Sequence, residues 1–157
     1  MKNQQNTIVR ILEFGTIISA FALIFTVILQ IVTRRFFTDI APSWTEEASR
    51  FFFIYTISFG AGLAQREGYF VSMDYFYRKF NHKTKWIIDM ITTSISAILF
   101  LLMSVYSIHF IVLGMEETSP SLGLPMSIAF VSMLIMSGTV LYYLMKHLFH
   151  QVKSGSK

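Results

Sequence analysis

The sequence predicts an all-α membrane protein with four transmembrane helices. Two features of its composition indicate this class: 54% of the 157 residues are hydrophobic, whereas only 14% are charged. Soluble domains carry roughly 25% charged residues, so this chain cannot cover its surface with polar groups in water. The third observation is the distribution of the apolar residues, which form four long runs separated by short, more polar connections. We expect these runs to pack as one domain over residues 1–157.

Each apolar run is long enough to cross a membrane as a helix. A transmembrane helix needs roughly 20 predominantly apolar residues to cross a hydrocarbon core about 30 Å thick. The runs are apolar nearly all round rather than along one stripe, which separates them from surface helices in water. The first run also exceeds the length of a signal-peptide core, so we expect an uncleaved first helix. The predicted spans are residues 11–33, 44–64, 86–113 and 126–145.

The basic residues predict the orientation of these spans. The N-terminal segment, the second connection and the C-terminal tail together hold ten of the 13 lysines and arginines. Cytoplasmic segments of membrane proteins are enriched in these two residues, so both termini are predicted to be cytoplasmic. Orientation therefore accounts for the net charge of +4, and we expect no binding to nucleic acid.

A short amphipathic helix is predicted in the second connection, over about residues 69–80. Apolar side chains spaced by four, three and four residues form one stripe there, while polar and basic side chains lie on the other faces. Helices of this kind lie in the membrane interface, so this one is predicted to anchor the cytoplasmic side. The alternative is an irregular loop with chance periodicity. The stripe consists of Tyr69, Met73, Phe76 and Phe80.

The strongest group of charges lies at the start of the second span. Glu46 and Glu47 occupy its first turn, where the helix dipole favours negative charge, and Arg50 follows within reach of an ion pair. The short first connection brings the end of the first span close to these acids. We interpret the group as a structural clamp or a partner-docking site; the alternative is ion or substrate binding by the carboxylates. The predicted network comprises Gln30, Arg34, Arg35, Trp44, Glu46, Glu47 and Arg50.

Small residues on the second span indicate close helix packing. Ser58 and Gly62, and likewise Gly60 and Ala64, are each four residues apart, which places each pair on one helix face. Small side chains at this spacing let helix backbones approach closely in lipid. The motif therefore predicts tight packing of this helix, without identifying its neighbour.

The sequence gives no indication of disulfides, catalysis, cofactor binding or a metal site. The chain has no cysteine, which excludes disulfides and thiolate chemistry. The four histidines are scattered without metal-ligand spacing, and no nucleophile elbow or phosphate-binding loop is present. Local ion pairs explain Glu13, three residues after Arg10, and Asp89, four residues after Lys85. We expect no enzymatic activity, no cofactor and no metal site.

The ordered motifs resemble those of the small membrane (Q) subunit of tripartite ATP-independent periplasmic (TRAP) transporters. The resemblance covers nearly the whole chain and includes the four spans and the predicted topology. Where the family usually has a histidine two residues after a glycine, this sequence has Phe70, so the role of that histidine is not carried over. The matching residues are Gln30, Arg34, Trp44, Glu46, Glu47, Arg50, Gly60, Ala61, Gly68, Val71, Met73 and Asp74.

The resemblance implies a transporter component in the bacterial inner membrane. In such systems a large membrane (M) subunit moves the substrate and holds the sodium sites, and a periplasmic substrate-binding (P) subunit delivers an organic acid, such as sialic acid or a C4-dicarboxylate. The small subunit is implied to form a heterodimer with the large one and to brace its fixed part, surrounded by membrane lipid. The alternatives are a free-standing four-helix multidrug exporter that uses Glu13 and a non-transport membrane adaptor.

Overall fold

The computed structural model describes residues 2–36, 43–67 and 82–155, and four long α-helices account for most of them. They are α1 (Lys2–Phe36), α2 (Ser43–Arg66), α3 (His82–Leu113) and α4 (Ser127–Gly155). The prediction of an all-α protein is confirmed. The predicted amphipathic helix over residues 69–80 lies outside the described residues.

Three of the helices are long and apolar enough to cross a membrane. The qualifying segments are Thr7–Phe36, Thr84–Leu113 and Ser127–Gln151. Helix α2 is not among them, although its 24 residues would extend about 36 Å at 1.5 Å per residue. Two glutamates and an arginine near its start lower its hydropathy. The fourth span and the cytoplasmic position of the termini therefore stay predictions.

The helices pack in a row rather than as a closed bundle. Helix α1 packs against α2, α2 against α4, and α4 against α3, so that α2 and α4 are the inner helices of the described chain. The core that joins the inner helices to α3 is formed by Ala61, Ala97, Val140 and Leu144. The outer helices α1 and α3 present long apolar faces outwards; Phe21 of α1, for example, is 71% exposed. Such faces suit contact with lipid or with other membrane helices.

Four buried hydroxyl groups inside the row are satisfied by the helices that carry them, whereas the buried hydroxyls of Thr93 and Tyr143 have no hydrogen-bond partner among the described residues. Ser19, Thr26, Ser58 and Ser137 are buried, and each donates a hydrogen bond to a carbonyl oxygen one turn earlier in its own helix. A hydrogen bond to a carbonyl of the same helix satisfies a buried hydroxyl, so the hydroxyl needs no partner on another helix. These small side chains therefore fill space between the helices, and their hydroxyls do not form a polar channel.

A compact loop joins α3 to α4, and we call residues 114–126 the α3–α4 loop. Its backbone is held by its own hydrogen bonds, from Ser119 N to Leu124 O at 2.8 Å and from Gly123 N to Ser119 O at 3.0 Å. Gly123 has a φ of 66°, a left-handed conformation that glycine adopts without steric cost. Pro125 pairs with Thr118 in an isolated β-bridge just before α4 begins. The loop is therefore a fixed feature of the surface.

Candidate functional site

A single carboxylate links the first two helices at one end of the row. Glu46 Oε2 lies 3.5 Å from Arg34 Nη2 of α1, and Glu46 Oε1 lies 2.6 Å from Arg50 Nη2 of α2. Arg50 reaches Glu46 because residues four apart on a helix are neighbours. Arg34 reaches it because α1 and α2 run antiparallel and meet at this end. We call Arg34, Glu46 and Arg50 the charge network.

Glu47, the next residue, faces a different neighbour. Its Oε2 accepts hydrogen bonds from the backbone nitrogens of Ser121 at 2.9 Å and Leu122 at 3.0 Å, both in the α3–α4 loop. Consecutive residues on a helix point about 100° apart, so the two carboxylates cannot serve the same partner. Glu46 thus joins α2 to α1, while Glu47 joins α2 to the loop that precedes α4.

A further bond joins α2 to the start of α4. The hydroxyl of Tyr55 donates a hydrogen bond of 2.7 Å to the carbonyl oxygen of Ile128. Ile128 lies in the first turn of α4, and its carbonyl accepts this second bond in addition to its place in the helix. The Tyr55 ring also contacts Phe59, with ring centroids 6.1 Å apart. The hydrogen bond between Tyr55 and Ile128 was not predicted, because the two residues are 73 positions apart in sequence.

The small residues of α2 fall on two different faces. A Cβ atom placed on Gly62 would lie 2.9 Å from Thr139 Oγ1 and 3.2 Å from Leu12 Cδ1, so Gly62 brings α2 close to both α4 and α1. Ser58, one turn earlier, is 3% exposed and shares this face. A Cβ atom on Gly60 would meet nothing within 4 Å, and Ala64 is only half-buried. Within the described part of this chain no neighbour lies against Gly60, so close packing of this second pair stays a prediction.

The remaining members of the predicted network lie near the same end without joining it. Gln30 is half-buried, and Trp44 is 43% exposed, as expected of an indole near the membrane surface. Arg35 is exposed and forms no ion pair with the residues that the structure describes. The interfacial anchor residues Tyr69, Met73, Phe76 and Phe80 lie outside the described residues.

Two local ion pairs expected from sequence spacing are absent from the described segments. Asp89 accepts a hydrogen bond from the side-chain amide of Gln151 in α4 rather than pairing with Lys85. Glu13 is exposed and has no basic group within ion-pair distance in that part of the chain, Arg10 included. The spacing was suitable in both cases, but a surface ion pair gains too little to fix two flexible side chains.

The site can hold helices together, and its groups are already engaged with one another. The two carboxylates of α2 bind arginine side chains and backbone amides, so they are committed to structure. Among the residues described, no group of three or more His, Cys, Asp or Glu side chains could hold a metal ion. The sequence indicated the acids and arginines, but the contacts of Ser121, Leu122 and Ile128 depend on chain folding and gave no local signal.

Comparison with known proteins identifies the family. Residues 23–154 match the family described as tripartite ATP-independent periplasmic transporters, DctQ component. No curated protein matches the chain. The matched segment includes all of α2 and α3, nearly all of α4 and the end of α1 that carries Arg34. This family match excludes the two alternatives, a multidrug exporter and a non-transport membrane adaptor, and it confirms the resemblance drawn from the motifs. The chain is a membrane-embedded transporter component that belongs to the DctQ family, the small subunits of TRAP transporters.

Proposed function

We propose that this chain is the fixed frame of a sodium-coupled TRAP transporter. It forms a heterodimer with the large membrane (M) subunit, which carries the substrate, and works with a periplasmic substrate-binding (P) subunit. The transported compound is an organic acid, such as sialic acid or a C4-dicarboxylate, taken up across the bacterial inner membrane. Family membership supports the partners, and the arrangement of the helices supports the role.

The observation that carries the proposal is the open row of helices with its linking charges at one end. A row presents two broad apolar faces, and the outward sides of α1 and α3 leave large hydrophobic side chains uncovered. The interior of the row contains small residues, and several of its buried hydroxyls are bonded to their own helices. A protein that conducts solute usually places polar groups at the membrane midplane, whereas the ion pairs described here lie at helix ends.

A mechanical argument connects this arrangement with transport. A large subunit that moves its substrate across the membrane needs one part that stays in place while another part slides. Additional helices attached to the stationary part enlarge its contact with lipid and resist being dragged. The links through Glu46, Glu47 and Tyr55 keep α1, α2 and α4 together, so they transmit this resistance as one body.

Reconstitution tests the proposal directly. Liposomes are prepared with the large subunit alone, with this chain alone and with both, and a sodium gradient drives uptake of labelled organic acid in the presence of the binding protein. We expect uptake only when both membrane subunits are present. Uptake by this chain alone would overturn the frame role, and full uptake by the large subunit alone would show that the frame is dispensable.

A further inference from the structure

An apolar groove of about 510 Å³ runs along α3 at the edge of the row. One wall is α3, from Ile95 at one end to Phe110 at the other, and Met133 of α4 contributes to the opposite wall. The side chains along it are open to the surroundings: Leu102 is 53% exposed and Tyr106 is 59% exposed. All eight lining residues are apolar or aromatic, so the groove suits a hydrocarbon chain.

The groove has the position and length of one membrane leaflet. Ile95 lies nine residues after Trp86, so it is about 13 Å further along the helix, near the middle of a hydrocarbon core about 30 Å thick. From Ile95 to Phe110 the helix rises about 22 Å, which covers the remaining half of the core and enters the headgroup region. The groove therefore starts near the bilayer midplane and opens at the surface on the side of the α3–α4 loop.

The residues that follow the groove toward its open end include a hydrogen-bond donor suited to a phosphate and two acidic side chains suited to an ammonium group. His109, between Tyr106 and Phe110, is exposed and offers an imidazole N–H donor. Glu116 and Glu117 lie in the α3–α4 loop, seven and eight residues after His109; both are exposed and form no ion pair within the described segments. A zwitterionic headgroup that carries a phosphate and a primary ammonium is complementary to this arrangement. An anionic glycerol headgroup offers no cation for the two glutamates.

We propose that the groove binds one acyl chain of phosphatidylethanolamine from the leaflet on the loop side. The chain lies along α3 against Met133, the phosphate accepts a hydrogen bond from His109 or from the Tyr106 hydroxyl, and the ammonium group pairs with Glu116 or Glu117. This binding is independent of the transport role, because it involves only this chain and lipid.

Tryptophan quenching by brominated lipid tests the site on the full-length chain. Trp44 and Trp86 are replaced with Phe, and a single tryptophan is introduced at Leu102 in the groove. The matched control is a tryptophan at Phe25 on the exposed face of α1, since Phe25 and Leu102 each lie eleven residues before the end of their helix. Ile98, also in the groove, provides a second reporter position if the Leu102 variant fails to fold, as judged by circular dichroism.

The measured quantity is the relative binding constant of dibrominated phosphatidylethanolamine against dibrominated phosphatidylglycerol at each position. We expect a preference for phosphatidylethanolamine of roughly two- to five-fold at Leu102, the factor that one exposed ion pair supplies, and no preference at Phe25. Glu116→Gln combined with Glu117→Gln should abolish the preference. Equal relative binding constants at positions 102 and 25 would overturn the site. The site would also be overturned if binding of the large subunit abolished quenching at position 102 but not at position 25, because a partner helix would then fill the groove.

Discussion

The carboxylate of Glu47 lies 2.9 Å from the backbone nitrogen of Ser121, although the two residues are 74 positions apart in the chain. Glu47 is the fifth residue of α2, just after the first turn, and Ser121 lies in the α3–α4 loop. The same oxygen also accepts from Leu122 N at 3.0 Å, a donor whose other acceptor is Ser119 Oγ at 3.4 Å, so one side chain holds two backbone donors of the loop. The beginning of α2 thus adds two hydrogen bonds to a distant loop that is otherwise held by its own backbone bonds.

Replacing Glu47 with Ala should loosen the α3–α4 loop. The amide of Ser121 loses its acceptor, and the amide of Leu122 keeps only the longer bond of 3.4 Å to Ser119 Oγ. Hydrogen exchange should therefore become several-fold faster, most clearly at Ser121, and less heterodimer should be recovered on co-purification. Glu46→Ala is the control, because Glu46 faces α1 and makes no bond to the loop. Unchanged exchange in the Glu47 variant would contradict the role of this bond. An altered sodium affinity with normal assembly would instead favour ion binding by the carboxylate.

Replacing Glu46 with Gln should weaken the contact between α1 and α2 only slightly. Both ion pairs of the charge network are lost, but Glu46 and its arginines are exposed, and such pairs contribute about 0.2–1 kcal/mol each. The loss should be measurable as a lower Tm in detergent at low salt. It should disappear at about 1 M salt, where the Debye length is only about 3 Å. Glu67→Gln, which breaks a pair with Arg66 at the other end of α2, serves as the control; a salt-independent decrease in Tm would contradict this account.

Gly62→Ala should destabilise the fold, whereas Gly60→Ala should not. The added methyl group at position 62 meets Thr139 and Leu12 within 3.2 Å, and overpacking of this kind costs about 1–3 kcal/mol. At position 60 the methyl group meets open space, and alanine favours a helix over glycine by about 1 kcal/mol or less. Thermal unfolding of the two variants side by side checks the difference. Equal stability of the pair would show that α2 does not approach α4 this closely.

Tyr55→Phe should remove the bond between α2 and the start of α4. Hydrogen bonds between membrane helices contribute about 0.6 kcal/mol on average, so we expect a small decrease in the free energy of unfolding. Tyr142→Phe is the matched control, because the Tyr142 hydroxyl has no hydrogen bond to the residues described here. Steric trapping or denaturant titration measures both variants. A larger loss for Tyr142 than for Tyr55 would refute the assignment.

Changing Phe76 and Phe80 to Asp should lower transport. These residues belong to the apolar stripe predicted from the sequence over residues 69–80, and charges there would expel a helix from the interface. The rate of uptake in reconstituted vesicles should fall while the heterodimer still forms. Tyr75→Asp, at a position about 130° around the predicted helix from the centre of the stripe, should have the smaller effect. Undiminished uptake after both changes would remove the anchor hypothesis.

The sequence predicted the elements of the fold well because hydropathy along the chain is a local property. Four apolar runs became four helices, and only the ends differ: α4 was predicted to end at residue 145 and continues to Gly155. Hydropathy detects where a run leaves the membrane, whereas a helix continues into water as long as its backbone bonds are satisfied. The polar residues after position 145 therefore lie on the same helix.

Which face of a helix meets which neighbour was much less predictable. The runs are apolar nearly all round, so Gly60 and Gly62 look equivalent in the sequence, yet only Gly62 lies against α4. Likewise, Glu46 and Glu47 have the same chemistry, and only the folded chain assigns one to Arg34 and the other to Ser121. Asp89 shows the same limit, since its partner Gln151 lies 62 positions away. Long-range contacts in lipid depend on small differences in shape that hydropathy does not record.

The order α1, α2, α4, α3 makes the two ends of the polypeptide mechanically unequal. The main contacts of α1 are with α2, so a force applied to the N-terminus can peel this helix away and leave the other three assembled. A force applied to the C-terminus pulls on α4, which must separate from α2 and α3 together. A tether or fusion at the N-terminus therefore strains one interface, whereas the same attachment at the C-terminus strains two.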